Sequence, residues 1–365
     1  MGIKKLMTFP MKRDYSLVGP ESAKAIAKGL SNAEWYRSPI DRKQLKQLMK
    51  RSDGPALRDT ALWLSLLSAT GAAGIFLWGS WWSVPVFAIY GVLYATTADS
   101  RWHECGHGTA FRTRWMNVAV YEFASFLMMR NSVAWRWSHA RHHTDTIIVG
   151  RDPEISGMRP PQLVMLCLNF LGLVSAPQSF WAILRQSAGK LSLEEADYVP
   201  ETERPRVYLV ARIHVAIYAG VIIASIVTAS ILPLILVGLP RFYGIWLLSV
   251  MGLPQHLGLA EDVLDHRLNS RTVLMNPLLR FIYWNMNYHM EHHMYPMVPY
   301  HRLPELHEAL KSDCPQPSAS LFHAWAEIIP CVIRQLKDPN HFIRPKLPAG
   351  AGGLKHIDEP RTAAE

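Results

Sequence analysis

Eight of the 16 histidines in this 365-residue chain fall into three short clusters whose spacing suits metal binding. The clusters read His-Glu-Cys-Gly-His, His-Ala-Arg-His-His and His-Met-Glu-His-His, and their histidines are His103, His107, His139, His142, His143, His289, His292 and His293. Residues three or four positions apart share one face of a helix, so each cluster can present its imidazoles to a common point. One zinc ion takes about four ligands, so eight imidazoles suit two ions; the ligand type alone does not choose among zinc, copper, iron and nickel.

Two more histidines compete as a ninth metal ligand. His256 ends an apolar segment at the depth expected for the three clusters, and we predict that it is the ligand. His266 lies ten residues further along. If the chain between them were helical, the rise would be about 15 Å, so one straight helix would not bring both to the same ion. We predict that His214 is structural and that the remaining histidines lie on the surface: His301, His307, His323, His341 and His356.

Carboxylates near the clusters are candidates to orient the imidazoles, because metal-bound histidines usually donate their second N–H to a carboxylate or carbonyl group. The candidates close in sequence are Asp99, Glu104, Asp145, Asp152, Glu154, Glu261, Asp262 and Asp265. Asp152 and Glu154 are favoured because the Asp-Pro-Glu sequence begins only nine residues after the second cluster. Cys105 would lie off the helix face shared by His103 and His107, so we do not predict it as a ligand.

Long apolar segments must hold these clusters in place. Residues 60–98 contain no charged residue in 39 positions, and one membrane crossing takes about 20 apolar residues, so two crossings with a turn at 78–83 are predicted. A second hairpin is predicted between 212 and 261, with its turn near Arg241 and with Pro233 as the rival turn position. The predicted spans are about 60–78, 83–99, 213–237 and 242–257. Residues 160–184 are also uncharged, but a fifth span would put the clusters on opposite faces, so an interfacial helix is predicted there.

The distribution of charge sets the predicted orientation. Residues 1–59 carry 13 Lys/Arg against six Asp/Glu, and a basic segment before a long apolar one indicates the cytoplasmic side rather than nucleic-acid binding. We therefore predict an all-α, integral, multi-pass membrane protein with four transmembrane helices in two hairpins and a cytosolic helical cap that holds two metal ions. The predicted units are a basic cytosolic segment (1–59), a membrane and catalytic domain (60–345) and a flexible tail (346–365). The four widely spaced cysteines exclude a disulfide scaffold, a zinc ribbon and a self-contained iron–sulfur cluster.

These motifs together resemble the membrane fatty acid desaturase/hydroxylase superfamily. The resemblance runs from about Asp59 to His307 and rests on the three clusters in order, the third within the block from Asn285 to Pro304. It implies a non-haem di-iron centre with O2 as oxidant, a four-span mushroom-like fold with a cytosolic cap, and a ligand role for the eight cluster histidines and for His256. The first cluster has three residues between its histidines, unlike the four of stearoyl-CoA-type enzymes, and the third begins with His rather than the Gln of front-end desaturases. Residues 252–266 are most similar to a bacterial branch described as hydrocarbon or rhizopine oxygenases, which leaves the substrate class open.

The resemblance implies hydrogen abstraction from an unactivated C–H bond, most simply by a fatty acyl or lipid desaturase. Hydroxylation or oxidative demethylation of a hydrocarbon or small molecule is the alternative within the superfamily, because the histidine motifs do not choose between these outcomes. A histidine-rich metal transporter and a zinc hydrolase are alternatives from other classes. The chain has no dinucleotide motif, no cysteine cluster and no His-Pro-Gly-Gly haem motif of a fused cytochrome b5. We therefore expect a separate electron donor with its reductase (a ferredoxin, rubredoxin or cytochrome b5-like protein) and an active site on the cytoplasmic face of a membrane, for a bacterium the inner membrane.

Overall fold

The computed structural model describes residues 13–353, and within this range the regular secondary structure is helical, with turns and loops between the helices. The described residues form no β-strand and only three isolated bridges, which pair Tyr36 with Asp265, Thr272 with Tyr288, and Val273 with Ser318. The all-α prediction is therefore confirmed for this part of the chain. The start of the predicted basic segment, the end of the predicted tail and His356 lie outside the described residues.

Nineteen α-helices form within residues 13–353, and most of them are short. In chain order they are α1 (Pro20–Ala27), α2 (Arg42–Leu48), α3 (Asp53–Phe76), α4 (Ser83–Gly91), α5 (Thr97–His107), α6 (Arg114–Leu127), α7 (Ser132–Thr144), α8 (Leu163–Asn169), α9 (Ser175–Ser187), α10 (Leu193–Tyr198), α11 (Arg204–Val227), α12 (Leu232–Leu236), α13 (Pro240–Tyr243), α14 (Trp246–Gly252), α15 (His266–Asn269), α16 (Pro277–Ile282), α17 (His289–Met294), α18 (Leu303–Leu310) and α19 (Leu321–Gln335). A π-helix, Val92–Thr96, joins α4 to α5, and 3₁₀ turns occupy Glu201–Glu203, Leu253–Gln255 and Tyr300–Arg302.

The first predicted hairpin is present as two antiparallel helical rods. α3 packs against α4, and the space beside Gly74 is filled by the ring of Phe87 while that beside Gly71 is filled by Tyr90. The second rod runs without a break through α4, the π-helix and α5, and therefore continues directly into the first histidine cluster. The turn between the rods exposes tryptophan side chains, and Trp81 is 90% exposed. This exposure is what an aromatic belt at a membrane surface requires.

The second predicted hairpin differs from expectation at its turn. α11 ends at Val227, and the chain turns directly after it, nearer to the rival position Pro233 than to Arg241. The prediction of a turn at Arg241 is wrong, since this side chain is only 2% exposed. Its guanidinium donates to the carbonyl of Met128 and to the hydroxyl of Ser175. A buried arginine held by protein acceptors needs no position at a solvent-facing turn.

Beyond this turn the chain does not form the continuous helix predicted over 242–257. α12, α13 and α14 follow one another as short pieces, and prolines open or interrupt them at Pro233, Pro240 and Pro254. Among the described residues, one helical stretch, Glu201–Val227, is long and apolar enough to cross a membrane by length and composition. The four-span topology therefore stays a prediction. Residues 160–184 contain α8 and part of α9 rather than one long helix.

The two hairpins meet at a close contact between glycines. A side chain at Gly244 would overlap the backbone carbonyl oxygen of Gly91, and a side chain at Gly91 would overlap the ring of Tyr243. Directly beside this contact, the hydroxyl of Thr96 in the π-helix donates to the carbonyl of Gly244 at 2.6 Å. It also accepts from the backbone N–H of Leu248 at 3.1 Å. The contact therefore ties the rod that carries the first histidine cluster to the broken segment that leads to His256.

Candidate metal centre

Three helices present the histidine clusters. The first cluster ends α5, where Gly108 adopts a left-handed conformation (φ 69°) that a residue with a side chain rarely takes up. The second cluster ends α7, whose first turn is capped by the side chain of Asn131. The third cluster forms most of α17. Because each cluster is helical, its histidines project from one face, as the spacing predicts.

The structure brings all nine predicted ligands together in two groups. In each group, one potential ligand atom per residue lies within 4.8 Å of all the others. The five-histidine group consists of His103, His107, His139, His143 and His292. The four-histidine group consists of His142, His256, His289 and His293. His266 belongs to neither group, and its ring instead stacks on Trp35 with ring centroids 4.3 Å apart.

The distances between the imidazoles match those of ligands around an ion. Neighbouring Nε2 atoms lie 2.8–3.1 Å apart in the five-histidine group and 2.9–3.0 Å apart in the four-histidine group. Two nitrogens bound at right angles to one metal, each at about 2.1 Å, would lie about 3.0 Å apart. Both groups therefore have the size of a coordination shell.

The hydrogen bonds of the outer ring nitrogens aim lone pairs toward the centre of each group. His139 Nδ1 donates to Glu154 at 3.0 Å, and His142 Nδ1 donates to Asp152 at 2.8 Å. His256 Nδ1 donates to the backbone carbonyl of Asn269 at 2.8 Å. A carboxylate or a carbonyl only accepts, so the proton sits on Nδ1 and the lone pair sits on the inward Nε2.

Burial keeps most of these imidazoles neutral, which is the form that binds metal. Burial lowers the pKa of His107 to about 4 and that of His256 to about 3, assisted in both cases by the nearby charge of His142. It also lowers the pKa well below the ordinary value at His103, His139, His143, His289, His292 and His293. His142 is the exception: burial acts in the same direction, but the charge and hydrogen bond of Asp152 raise its pKa overall.

The donor set fits a pair of metal ions. The rings of His143, His289 and His292 turn Nε2 toward the group centres, and their outward Nδ1 atoms have no hydrogen-bonding partner among the described residues. Several inward nitrogens face one another at about 3 Å, an arrangement that is repulsive unless a metal ion or a proton lies between them. Nine imidazoles without a thiolate suit zinc, copper, iron or nickel.

Two of the eight predicted carboxylate partners bond to imidazole rings, namely Asp152 and Glu154. The other six do not bond to these rings: Asp99, Glu104, Asp145, Glu261, Asp262 and Asp265. Groups from distant segments bind Glu104, Glu261 and Asp262. Asp145 and Asp265 pair instead with arginines close in sequence. Cys105 is buried and belongs to neither group.

One residue pair near the third cluster was missed. His307, predicted to lie on the surface, is buried, and its Nδ1 lies 2.5 Å from Glu291 Oε1. The other oxygen of Glu291 accepts from the hydroxyl of Thr272 at 2.5 Å. Glu291 sits inside the third cluster and is fully buried, so this pair braces α17 from its outer side. Its position between His289 and His292 was the available signal.

A large cavity lies beside both groups. Its volume is about 670 Å³, within the range of pockets that hold small-molecule ligands. His103 and His139 line it from the five-histidine group, and His142, His256 and His289 line it from the four-histidine group. A molecule in this cavity would lie next to both candidate metal positions.

Comparison with known proteins agrees with this geometry. The fatty acid desaturase family matches residues 79–325, more than half of the chain, a range that contains all nine histidines. The chain is 23% identical over 295 residues to a probable fatty acid desaturase of Sorghum bicolor, with 76% of this chain and 72% of that protein covered. It is 22% identical over 273 residues to the sn-2 acyl-lipid omega-3 desaturase (ferredoxin), chloroplastic, of Arabidopsis thaliana, with 70% and 60% covered, so it spans less than two thirds of that relative. With its histidine clusters inside the matched region, the chain belongs to the fatty acid desaturase family.

Proposed function

We propose that the protein is an O2-dependent, di-iron membrane oxidoreductase that removes hydrogen from an unactivated C–H bond of a fatty acyl or other lipid substrate. The observation that supports this most directly is the pair of histidine groups, five and four residues in size, beside one cavity. Membership of the desaturase family favours iron over the other metals that imidazole accepts. Both relatives described above carry the word desaturase in their names.

The chain's own residues would position the metals and the substrate. Bound iron would supply the oxidising power, drawn from O2, that breaks a C–H bond. Asp152, Glu154 and the carbonyl of Asn269 fix the rings of three ligands, so the coordination shell exists before substrate enters. The cavity wall holds the substrate beside both groups and limits the access of water.

A second candidate outcome is oxygen insertion into a less lipid-like substrate. Loss of two hydrogens gives a double bond, whereas insertion of oxygen gives an alcohol or, at an N- or O-methyl group, demethylation. The cavity lining supports this second candidate, because it contains the charged side chains of Asp99, Arg130 and Arg241 together with apolar ones. The family match speaks against a metal transporter and against a zinc hydrolase.

The reaction would need electrons from a separate donor, and α2 is the surface we propose for its docking. Arg42, Lys43 and Lys46 are exposed on α2, whose seven residues include no acidic one. The segment leading into α2 is tied to the metal centre, because the hydroxyl of Tyr295 donates to the carbonyl of Ser38 at 2.7 Å. An acidic ferredoxin, rubredoxin or cytochrome b5-like protein, with its reductase, fits this charge.

Charge reversal on α2 tests this docking site. We expect Lys43→Glu with Lys46→Glu to lower kcat/KM for an acidic ferredoxin about tenfold at low salt and much less at high salt, because the effect is electrostatic. The matched control is Arg334→Glu, near the end of α19, with Lys337→Glu just after it; both side chains are exposed. Equal losses in both double variants would show that only the overall charge matters.

Iron analysis and product analysis together test the proposed function. Purified protein loaded anaerobically should hold about two irons per chain. With O2, a ferredoxin and its reductase, lipid extracts should yield a product that has lost two hydrogens. Addition of one oxygen would instead identify a hydroxylase, and loss of a CH2 unit a demethylase. Exchangeable zinc, with no O2-dependent product, would contradict the proposal.

A further inference from the structure

The cavity beside the histidine groups contains a carboxylate with unused hydrogen-bonding capacity. Asp99 precedes His103 by four residues on α5, so the two side chains share a face and lie about 6 Å apart along the helix axis. Both line the cavity. Among residues 13–353, no group donates a hydrogen bond to the Asp99 carboxylate, and its charged neighbours are Arg130 and Arg241.

The protein engages the two arginines to different extents. Arg241 donates through Nε to the carbonyl of Met128 and through Nη2 to the hydroxyl of Ser175, whereas its Nη1 is buried without a hydrogen-bonding partner among the described residues. Arg130 lies over the ring of Trp102, with its Cζ 4.9 Å from the centroid, and its side-chain N–H groups make no hydrogen bond within residues 13–353. This end of the cavity therefore offers a free acceptor, the Asp99 carboxylate, and a free donor, the Arg130 guanidinium.

The surroundings of Asp99 decide which kind of hydrogen-bond donor on a substrate its carboxylate would accept. An alkyl chain would place methylene groups against the carboxylate and remove its hydration without replacement, which is costly. An ammonium group would enter beside two arginines and be repelled by them. A neutral hydroxyl group satisfies the carboxylate and meets no repulsion. Most other polar groups on the wall are neutral as well, among them Gln162, Gln178 and Ser249.

We propose that Asp99 is a substrate-specificity residue whose carboxylate accepts a hydrogen bond from a hydroxyl group of the substrate. This hydroxyl lies about one helical turn from the carbon that reacts, because Asp99 lies one turn from His103. The inference rests on the proposed function, which places the reacting carbon beside the histidines. It narrows the substrate to a hydroxylated molecule, either a soluble alcohol or a lipid with a hydroxyl group.

Four ring compounds of similar shape test the inference by binding alone. Cyclohexanol donates a hydrogen bond, cyclohexanone only accepts one, and cyclohexylamine and cyclohexanecarboxylate carry opposite charges. Their dissociation constants are measured by saturation-transfer NMR with full-length, iron-loaded protein without O2, so no turnover is needed. We expect cyclohexanol to bind about tenfold more tightly than each of the other three, because only a hydroxyl can donate to Asp99 and accept from Arg130 at the same time.

Variants of Asp99 assign this preference to one side chain. Asp99→Leu should abolish the preference for cyclohexanol over cyclohexanone, and Asp99→Asn should reduce it, because an amide oxygen accepts a weaker hydrogen bond. The matched control is Glu34→Gln, which removes one negative charge from an exposed position. Each variant is first shown to retain wild-type iron content. A wild-type preference for any other probe, equal binding or no binding of all four, or an unchanged preference in Asp99→Leu would overturn the proposal.

A second arm identifies the source of the hydroxyl. The cyclohexanol titration is repeated in nanodiscs of phosphatidylcholine, whose headgroup has no hydroxyl, and of phosphatidylglycerol, whose headgroup has them. Competition by phosphatidylglycerol alone places the hydroxyl on a lipid, and equal titrations place it on a soluble molecule. The two proposals also fail separately. Asp99-dependent binding without an O2-dependent product contradicts the proposed function, whereas lipid oxidation that is indifferent to Asp99 contradicts the specificity residue.

Discussion

The two histidine groups carry different kinds of sequence signal. All members of the five-histidine group come from the three clusters and project from regular helices. The four-histidine group draws three members from the clusters and is completed by His256, which follows a 3₁₀ turn and has non-helical backbone angles. Helical motifs thus supply every member of one group, whereas the other group is completed by a residue outside any helical motif.

Removal of His256 should have the largest effect and tests this contrast most directly. We expect His256→Ala to lower iron from about two to about one per chain and to abolish turnover, because the four-histidine group then has three imidazoles. His266→Ala is the matched control and should keep its iron, since its ring packs on Trp35 rather than in either group. Iron is measured per chain on the folded fraction. Loss of iron only in His266→Ala would show that the wrong histidine was assigned.

The same reasoning applies to the clusters themselves. His292→Ala removes a member of the five-histidine group and His142→Ala a member of the four-histidine group. Both should abolish turnover while leaving a folded membrane protein. Normal activity and iron content in either variant would contradict the di-iron proposal.

The next largest effect is the pH dependence of the stability of the metal-free protein. Eight of the nine histidines have a folded-state pKa below 6.5, so below that pH the unfolded chain binds more protons than the folded chain. Each such histidine costs about 1.4 kcal/mol of stability per pH unit below 6.5 until its folded pKa is reached. We therefore expect the unfolding temperature of metal-free protein in detergent to fall steeply as the pH is lowered from 6.5 towards about 4.

His142, a member of the four-histidine group, changes the stability with pH in the opposite direction. Its folded pKa is raised, so the stability it contributes is present below pH 6.5 and is lost as the pH rises through the folded pKa. Replacing it in the metal-free protein removes a constant stabilisation below pH 6.5. It also removes the positive charge that lowers the pKa values of His107 and His256, so the acid destabilisation from those two rings should become shallower. Iron-loaded protein is the control, because bound metal keeps the imidazoles deprotonated. Identical pH profiles with and without iron would contradict the assignment of these histidines as ligands.

Whether a site residue could be predicted from the sequence depends on how far along the chain its structural partners lie. The cluster histidines were predictable because their spacing alone puts them on one helix face, and Asp152 because it returns to its own cluster within ten positions. His256 was predictable only through its depth at the end of an apolar segment. Glu291 with His307, and the buried guanidinium of Arg241, were not predicted, because their partners come from other helices.

The fold follows the same rule. The helical content and the first hairpin follow from local composition, since 39 uncharged residues leave few alternatives. The break-up of residues 232–255 into short helices does not follow from hydropathy, which only requires an apolar segment there. It reflects prolines together with a close contact to the first hairpin at Gly91, and that contact is a tertiary feature.

Replacing the carboxylates that orient the imidazole rings should lower iron affinity by different amounts in the two histidine groups, with smaller effects than loss of a ligand. Asp152 is 2% exposed and accepts from His142 Nδ1 and from the backbone N–H groups of Ile147 and Glu154. Loss of an orienting carboxylate typically lowers metal affinity or activity 10–100-fold. We expect Asp152→Asn near the upper end of that range, because an amide cannot satisfy three donors without misplacing one of its own N–H groups.

Glu154→Gln supplies the comparison from the five-histidine group. Glu154 is half-buried and accepts from Ser138 and His139, so water can compensate for part of the loss. Its effect should lie near the lower end of the range. Iron affinity is measured by competition with a chelator. A larger loss in Glu154→Gln than in Asp152→Asn would reverse the proposed difference between the two groups.

The smallest expected effect comes from the glycine contact that sets the spacing between the groups. Gly91 lies on the rod that ends in His103 and His107, and Gly244 lies on the segment that leads to His256. Gly244→Ala would push these segments apart and should cost about 1–3 kcal/mol, as overpacking of a core does. Because the segment that Gly244→Ala displaces carries His256 of the four-histidine group and no member of the five-histidine group, the iron of the four-histidine group should be lost at a lower chelator concentration.

Gly220→Ala is the matched control for this variant. Gly220 lies in the middle of α11 with open space around it, so alanine meets no neighbour and should stabilise the helix by about 0.5–1 kcal/mol. Unfolding temperature and iron release by chelator are measured for both variants. If Gly244→Ala shifts them no more than Gly220→Ala does, the close approach at Gly91 does not set the distance between the two groups. If Gly244→Ala lowers stability but releases both irons at the same chelator concentration, the two histidine groups move as one unit. The difference between them then lies only in which residues are their ligands.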